Sequence, residues 1–289
     1  MLEELSGDTR LAVKKTYKLF IGGKFPRTES GRYYPLKDVT GKLLANVCLS
    51  SRKDFRNAVV AARKAFEGWA ACNAYLRGQI IYRVAEILEG RSAQFEEELC
   101  LQGIPSSQAR KEVETAVDTL VYYAGWTDKF QQIFGSVNPV ASSHFSFSLP
   151  EPTGVIAIIA PEENGLLGLI HTLAPVIAGG NTCVTLASHS RPLCAVTLAE
   201  VLNCSDVPAG VVNILTGERK ELLQSITSHM DVNAVLYSGE NEDEITQTQA
   251  NASLNVKRLT FLNSPAMESS PYRIMDFQEI KTTWHPIGI

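Results

Sequence analysis

The chain has 289 residues, 45% of them hydrophobic and 20% charged, with a formal net charge of −4. That is ample apolar material for one or two packed domains, and it excludes a chain disordered by composition. The acidic balance gives no footing for nucleic acid, which asks for a basic face, and no apolar run approaches the ~20 residues of a membrane span.

Six cysteines (Cys48, Cys72, Cys100, Cys183, Cys194 and Cys204) are scattered without Cys-x-x-Cys spacing. The opening ten residues are polar and acidic and carry no signal-peptide pattern. Reduced, mostly buried thiols in a cytoplasmic protein are expected.

In chain order, residues 1–16 read as a charged leader or linker. Tyr17-Lys18-Leu19-Phe20-Ile21, then Gly22-Gly23, then Lys24-Phe25 is a hairpin signal with a Gly-Gly turn. Residues 39–47 predict a short strand pair or turn, which makes 17–50 an N-terminal β region. Helices take over across 51–135. Phe55, Val59, Ala62, Phe66 and Trp69 recur at three- and four-residue steps. Further helices are expected over 76–88 and 94–101, and a long fourth one over 107–134 with Ser106 or Ser107 as N-cap. Residues 143–149 alternate polar and apolar side chains, the mark of a half-exposed strand in an arm spanning 136–152.

The most informative stretch is 153–263. Gly154-Val155-Ile156-Ala157-Ile158-Ile159-Ala160-Pro161 is near-continuously apolar, which predicts a strand buried on both faces. Similar runs recur at 182–187, 211–215, 232–237 and 256–262, with helical spacing between them. Five strands alternating with four helices predict an α/β fold: a doubly wound, parallel, five-stranded Rossmann-like sheet. Residues 264–289 read as a turn-rich linker followed by one more strand over 274–284.

These residues resemble the NAD(P)-dependent aldehyde dehydrogenases. Phe20-Ile21-Gly22-Gly23-Lys24-Phe25 looks like the family's N-terminal hairpin, and Val59-Val60-Ala61-Ala62-Arg63-Lys64-Ala65-Phe66 with Trp69 resembles its first helix. Glu151-Pro152-Thr153-Gly154-Val155, and Ala174-Pro175 through Gly180-Asn181-Thr182, resemble the entry to its cofactor domain. Pro208-Ala209-Gly210-Val211-Val212-Asn213-Ile214-Leu215-Thr216-Gly217 is the most specific piece. The resemblance implies a cofactor-type domain, a β oligomerisation arm and, between them, a long catalytic domain that this chain lacks. Such a truncated copy resembles the degenerate C-terminal half of the family 16 aldehyde dehydrogenases of animals.

The departures from the family pattern carry the functional expectation. Aldehyde oxidation needs an activated thiolate, and none of the six cysteines lies in the family's nucleophile context. The oxyanion-stabilising Asn position falls on Glu163, with Asn164 one residue off; a carboxylate there opposes an oxyanion. The Lys and Glu that bind the ribose are replaced by Leu186 and His189, and a lone histidine there reads as a surface residue. The phosphate-facing turn keeps Gly239 but puts Glu240 in place of Ser, and Glu242, Asp243 and Glu244 follow. A carboxylate ~5 Å from a phosphate charge costs about 3 kcal/mol at an effective dielectric near 20. As a cation site the acidic run lacks the oxygen spacing and glycine of an EF-hand. The general-base position falls on Leu262, which cannot accept a proton.

The expected function is therefore a non-catalytic, aldehyde-dehydrogenase-like module serving assembly, with no cofactor and no metal. Its partner is protein: a second copy, or another unit of the same family. Residues 17–25, 144–149 and 274–284 are expected to pair with that partner. Two alternatives stay open: a supporting domain for an active dehydrogenase unit elsewhere in a parent chain, and a cryptic nucleotide-binding regulatory module.

Overall fold

The computed structural model describes residues 15–262 and 268–288. Most of the expected leader and the first part of the expected linker lie outside them. In chain order the elements are β1 (Tyr33–Lys37), β2 (Leu43–Cys48), α1 (Arg52–Ala70), α2 (Ala74–Gly90), α3 (Ser92–Leu101), α4 (Ser106–Trp126) and α5 (Phe130–Phe134). Then come β3 (Ser136–Asn138), β4 (His144–Pro152), β5 (Val155–Ile159), α6 (Leu167–Ala178), β6 (Thr182–Leu186) and α7 (Leu193–Cys204). The chain continues through β7 (Val212–Leu215), α8 (Arg219–Ser228), β8 (Ala234–Ser238), α9 (Glu242–Ser253), β9 (Arg258–Leu262), α10 (Tyr272–Met275) and β10 (Gln278–Pro286).

The expected parallel core is present as a five-stranded sheet in the order β7-β6-β5-β8-β9. Every residue of β5, β6, β7 and β8 is buried. Alternation along β5 splits the core in two. Ile156 and Ile158 pack with α2, α3, α4, α6 and α7, whereas Val155, Ala157 and Ile159 pack with α1 and α8. Both faces are covered, which is why these strands read as unbroken apolar runs. Each fully buried Ile or Val side chain contributes about 1.5–3 kcal/mol by burial.

Helix α1 starts where Ser51 and Asp54 form a reciprocal capping box. The expected long helix over 107–134 is two helices, because Thr127–Lys129 leave the helical path between α4 and α5. Pro105, not Ser106 or Ser107, stands at the N-cap of α4, and no side chain caps it. Proline is well suited to this end, where the first backbone N–H groups lack helical partners anyway. The strand pair expected at 39–47 is β1 and β2, so its first strand begins earlier, at Tyr33. Residues 274–284 are not one strand either: α10 turns first and β10 follows.

Three segments expected to pair with a partner pair inside the chain. Gly22 and Gly23, both with positive φ, form a two-residue turn whose flanking Ile21 and Lys24 exchange two hydrogen bonds. Phe20 then exchanges backbone hydrogen bonds with Ile214 at 2.9 and 2.8 Å, so the segment covers the outer edge of β7. The other two segments meet in a second sheet of order β10-β4-β3, where β4 and β10 run antiparallel over nine residue pairs. No helix among the described residues is long and apolar enough to cross a membrane.

Candidate functional site

The parallel sheet reverses its winding between β5 and β8: from β5 the chain builds outward through β6 and β7, then returns to β8 on the other side. In open parallel sheets, ligands bind beyond the carboxyl ends of the strands at such a reversal. The candidate site is therefore bounded by Ala160 to Glu163 after β5, Ser188 to Arg191 after β6, Gly217 to Arg219 after β7, and Gly239 to Glu244 after β8.

Arg219, the first residue of α8, reaches into this crevice, and its side chain is only 15% exposed. Its guanidinium donates to the Ala160 carbonyl at the end of β5 and pairs with Glu162 (Nε to Oε1, 3.2 Å). It also lies over the Tyr237 ring, 5.7 Å from the centroid. A side chain added at Gly239 would begin 3.0 Å from Arg219 Nη1, so the guanidinium rests against the backbone of that turn.

The second oxygen of Glu162 is equally engaged. Oε2 accepts from Ser188 Oγ at 3.0 Å and from the backbone N–H groups of His189 at 2.9 Å and Ser190 at 3.2 Å. One carboxylate thus ties the loop after β6 to the first residue of α8. Across the reversal, Tyr237 Oη donates to Glu244 at 2.7 Å. Burial, then this hydrogen bond to a carboxylate, pushes the Tyr237 phenol up to about 12, so it stays protonated as a donor. Asn241 accepts from the backbone N–H groups of Asp243 and Glu244, which occupies the free N-terminus of α9 from within the chain.

The five positions singled out from the sequence all lie at the carboxyl ends of core strands: Glu163 after β5, Leu186 at the end of β6 and His189 just after it, Glu240 after β8 and Leu262 at the end of β9. Glu163 is exposed, and its carbonyl accepts from Arg191. Leu186 ends β6 and is buried in the core. His189 differs from the expected surface residue: it is half-buried and stacked on Tyr34, with centroids 4.3 Å apart, and Tyr34 Oη donates to its carbonyl. Glu240 is exposed at the turn. Leu262 ends β9, its side chain packs against the main core, and its carbonyl accepts from the Gly239 N–H.

Three cysteines are buried in the core, Cys48, Cys183 and Cys194, and two of them are held away from the reactive form. Burial pushes Cys183 up to about 12, and burial followed by the nearby Glu98 and Glu112 carboxylates pushes Cys194 well above the ordinary thiol range. Both are small apolar fillers by environment. The family-like Asn213 is fully buried and structural: it donates to the Cys183 and Gly210 carbonyls and accepts from Gly22 N–H at 2.9 Å.

The profile of the aldehyde dehydrogenase family matches residues 25–263. This chain belongs to the aldehyde dehydrogenase family. Among relatives, omega-crystallin of Enteroctopus dofleini is 32% identical over 249 residues, covering 84% of this chain and 50% of that protein. Aldehyde dehydrogenase, cytosolic 1 of Elephantulus edwardii is 31% identical over 264 residues, 87% of this chain and 51% of that protein. Among solved structures, an NAD+ complex of aldehyde dehydrogenase from Bacillus cereus superposes with a TM-score of 0.80 at 28% identity, covering 86% of this chain and 51% of that one. The chain spans about half the length of these relatives. Inside this aldehyde dehydrogenase family chain, residues 263–277 alone connect β9 to β10.

Sequence reasoning missed the pair that dominates the crevice, Glu162 and Arg219. The available signal was positional. Both lie within four residues of the carboxyl end of a core strand, where side chains face the reversal point whatever their type.

Proposed function

We propose that this aldehyde dehydrogenase family domain serves assembly and carries out no aldehyde oxidation of its own. The observation that carries the reading is the arm sheet. β10 ends that sheet as a nine-residue strand with no partner on its outer side among the described residues, and it exposes Ile280 and Trp284. A long strand edge of this kind, with apolar side chains and a proline only at its last position, is a template for pairing with another chain. Phe145, Leu149 and Val137 on the neighbouring strands are exposed as well, so the arm offers apolar area beside the edge. The partner that fits is a second copy of the chain or another unit of the same family, because an isologous contact satisfies both edges at once.

The chemistry of the crevice supports the second half of the reading. A leucine stands where the base is expected, a carboxylate where the oxyanion donor is expected, and burial pushes the Cys183 and Cys194 thiols away from thiolate. The four acids from Glu240 to Glu244 disfavour a pyrophosphate at the start of α9. We read the domain as one that does not take NAD, unlike the Bacillus cereus relative solved as its NAD+ complex. Two measurements test this: NADH formation from a simple aldehyde with NAD or NADP, expected at the protein-free rate, and light scattering, expected to give a mass above one chain. Sustained NADH formation overturns the non-catalytic reading, and a monomer at all concentrations overturns the assembly reading.

A second reading is favoured by the share of its relatives that the chain spans. In it, this domain supports a complete dehydrogenase unit in a longer parent protein. Turnover of such a unit measured alone and joined to this chain separates the two.

A further inference from the structure

We propose that Glu162 and Arg219 form a built-in latch that keeps the crevice at the sheet reversal shut against nucleoside pyrophosphates. This deepens the reading of a domain without a cofactor and rests on it: beside the acids at the start of α9, the latch names a second group that excludes the pyrophosphate.

A pyrophosphate at this kind of site lies between the ends of the first and fourth core strands and needs close approach to backbone. Here that place holds a guanidinium fixed at four points: the Ala160 carbonyl, Glu162, the Tyr237 ring and the surface of Gly239. Gly239 leaves room by having no side chain, and Arg219 fills that room.

A half-buried arginine beside a crevice is a common phosphate bait, but this one is already neutralised. Glu162 pairs with it, and Glu162 is itself fixed by Ser188 and by the backbone of His189 and Ser190. An incoming phosphate would have to break that set and leave the Glu162 carboxylate facing its own charge. The latch also joins the loop after β7 to the loops after β5 and β6, so it braces the mouth of the crevice as well as filling it.

The test is calorimetric titration of NAD onto the full chain and onto a double variant, Glu162→Ala with Arg219→Gly. The wild type is expected to show no saturable heat at millimolar NAD, which sets a lower limit on its Kd, and the double variant to saturate with a Kd at least about tenfold below that limit, a difference of about 1.4 kcal/mol. Arg219→Gly alone should stay silent, because it bares the Glu162 carboxylate. A double variant that melts like wild type and still binds no better overturns the latch while leaving the assembly reading intact. Micromolar binding by the wild type overturns the latch and the cofactor-free reading together, with the light-scattering result unaffected. Should the double variant fail to fold, Glu162→Gln with Arg219→Gln, shorter at Arg219 and uncharged, decides by the same comparison.

Discussion

Asn181 holds the arm to the core: its fully buried carboxamide donates to the Phe277 carbonyl at 2.9 Å and accepts from the Gly154 N–H at 2.9 Å. Phe277 immediately precedes β10, and Gly154 immediately precedes β5. The adjoining Gln278 adds a bond from its side chain to the Gly179 carbonyl at 3.1 Å. The strand offered for assembly is thereby anchored to the buried parallel core. Asn181→Ala leaves the buried Gly154 N–H unpaired, while the Phe277 carbonyl keeps the Thr153 N–H at 3.2 Å, and an orphaned donor of this kind costs about 1–3 kcal/mol. For a domain of this size a loss near 2 kcal/mol lowers the melting midpoint by roughly 4–8 °C. A midpoint unchanged within a degree in a circular dichroism melt would show that the anchor lies elsewhere.

The start of α1 predicts a pH dependence. Burial works against the Asp54 carboxylate, yet bonds from Thr28 Oγ1 at 2.6 Å, Glu29 N–H at 3.0 Å and Ser51 together hold it below the ordinary aspartate range. A carboxyl group lowered on folding adds stability that is present above its unfolded value and lost as pH falls through its folded one. Asp54→Asn should cost about 1–2 kcal/mol at neutral pH and progressively less in acid. Urea titrations at both pH values check this; an equal cost at both contradicts the charge-based account.

Glu98 predicts the opposite slope. Burial raises it above the ordinary glutamate range despite bonds from Thr197 at 2.7 Å and Tyr17 at 3.2 Å, and its other oxygen is buried without a partner. A group raised on folding contributes stability that is complete below its unfolded value and lost as pH rises through its folded one. Stability of the wild type relative to Glu98→Gln should therefore fall as pH rises from acid toward neutral. A difference between the two chains that is flat with pH would contradict it.

The sequence discloses the core strands because burial on both faces leaves them mostly apolar, with small polar residues such as Thr182, Thr185 and Asn213 as the few interruptions; β9 is half-buried and shows by its Leu259 and Phe261. It discloses β4 because one half-exposed face alternates. β1 is harder to see: Tyr33-Tyr34-Pro35-Leu36-Lys37 carries a proline and sits in a two-stranded sheet with one open edge. The break between α4 and α5 is silent as well, since Thr127–Lys129 contain neither glycine nor proline. There Thr127 Oγ1 bonds back to the Ala124 carbonyl within the last turn, and Thr127 packs against Gly78 of α2, a contact that only the fold supplies.

The site divides along the same line. Losses such as Leu262 and Glu163 show as residue types at family positions. The Glu162–Arg219 contact joins loops 57 positions apart, and only the folded strand order brings them together. The place of His189 beside Tyr34 is hidden for the same reason.

The central claim is that the arm strand, and not the crevice, carries the function. The cut that tests it cannot begin at residue 274, because Ile274 and Phe277 are buried in the core. It belongs after Gln278, removing residues 279–289. Sedimentation equilibrium of the full chain and of this shortened one is the most direct measurement. The account predicts a dimer or larger species for the full chain and a folded monomer for the shortened one. A full chain that is monomeric, or a shortened chain that associates equally well, would contradict it.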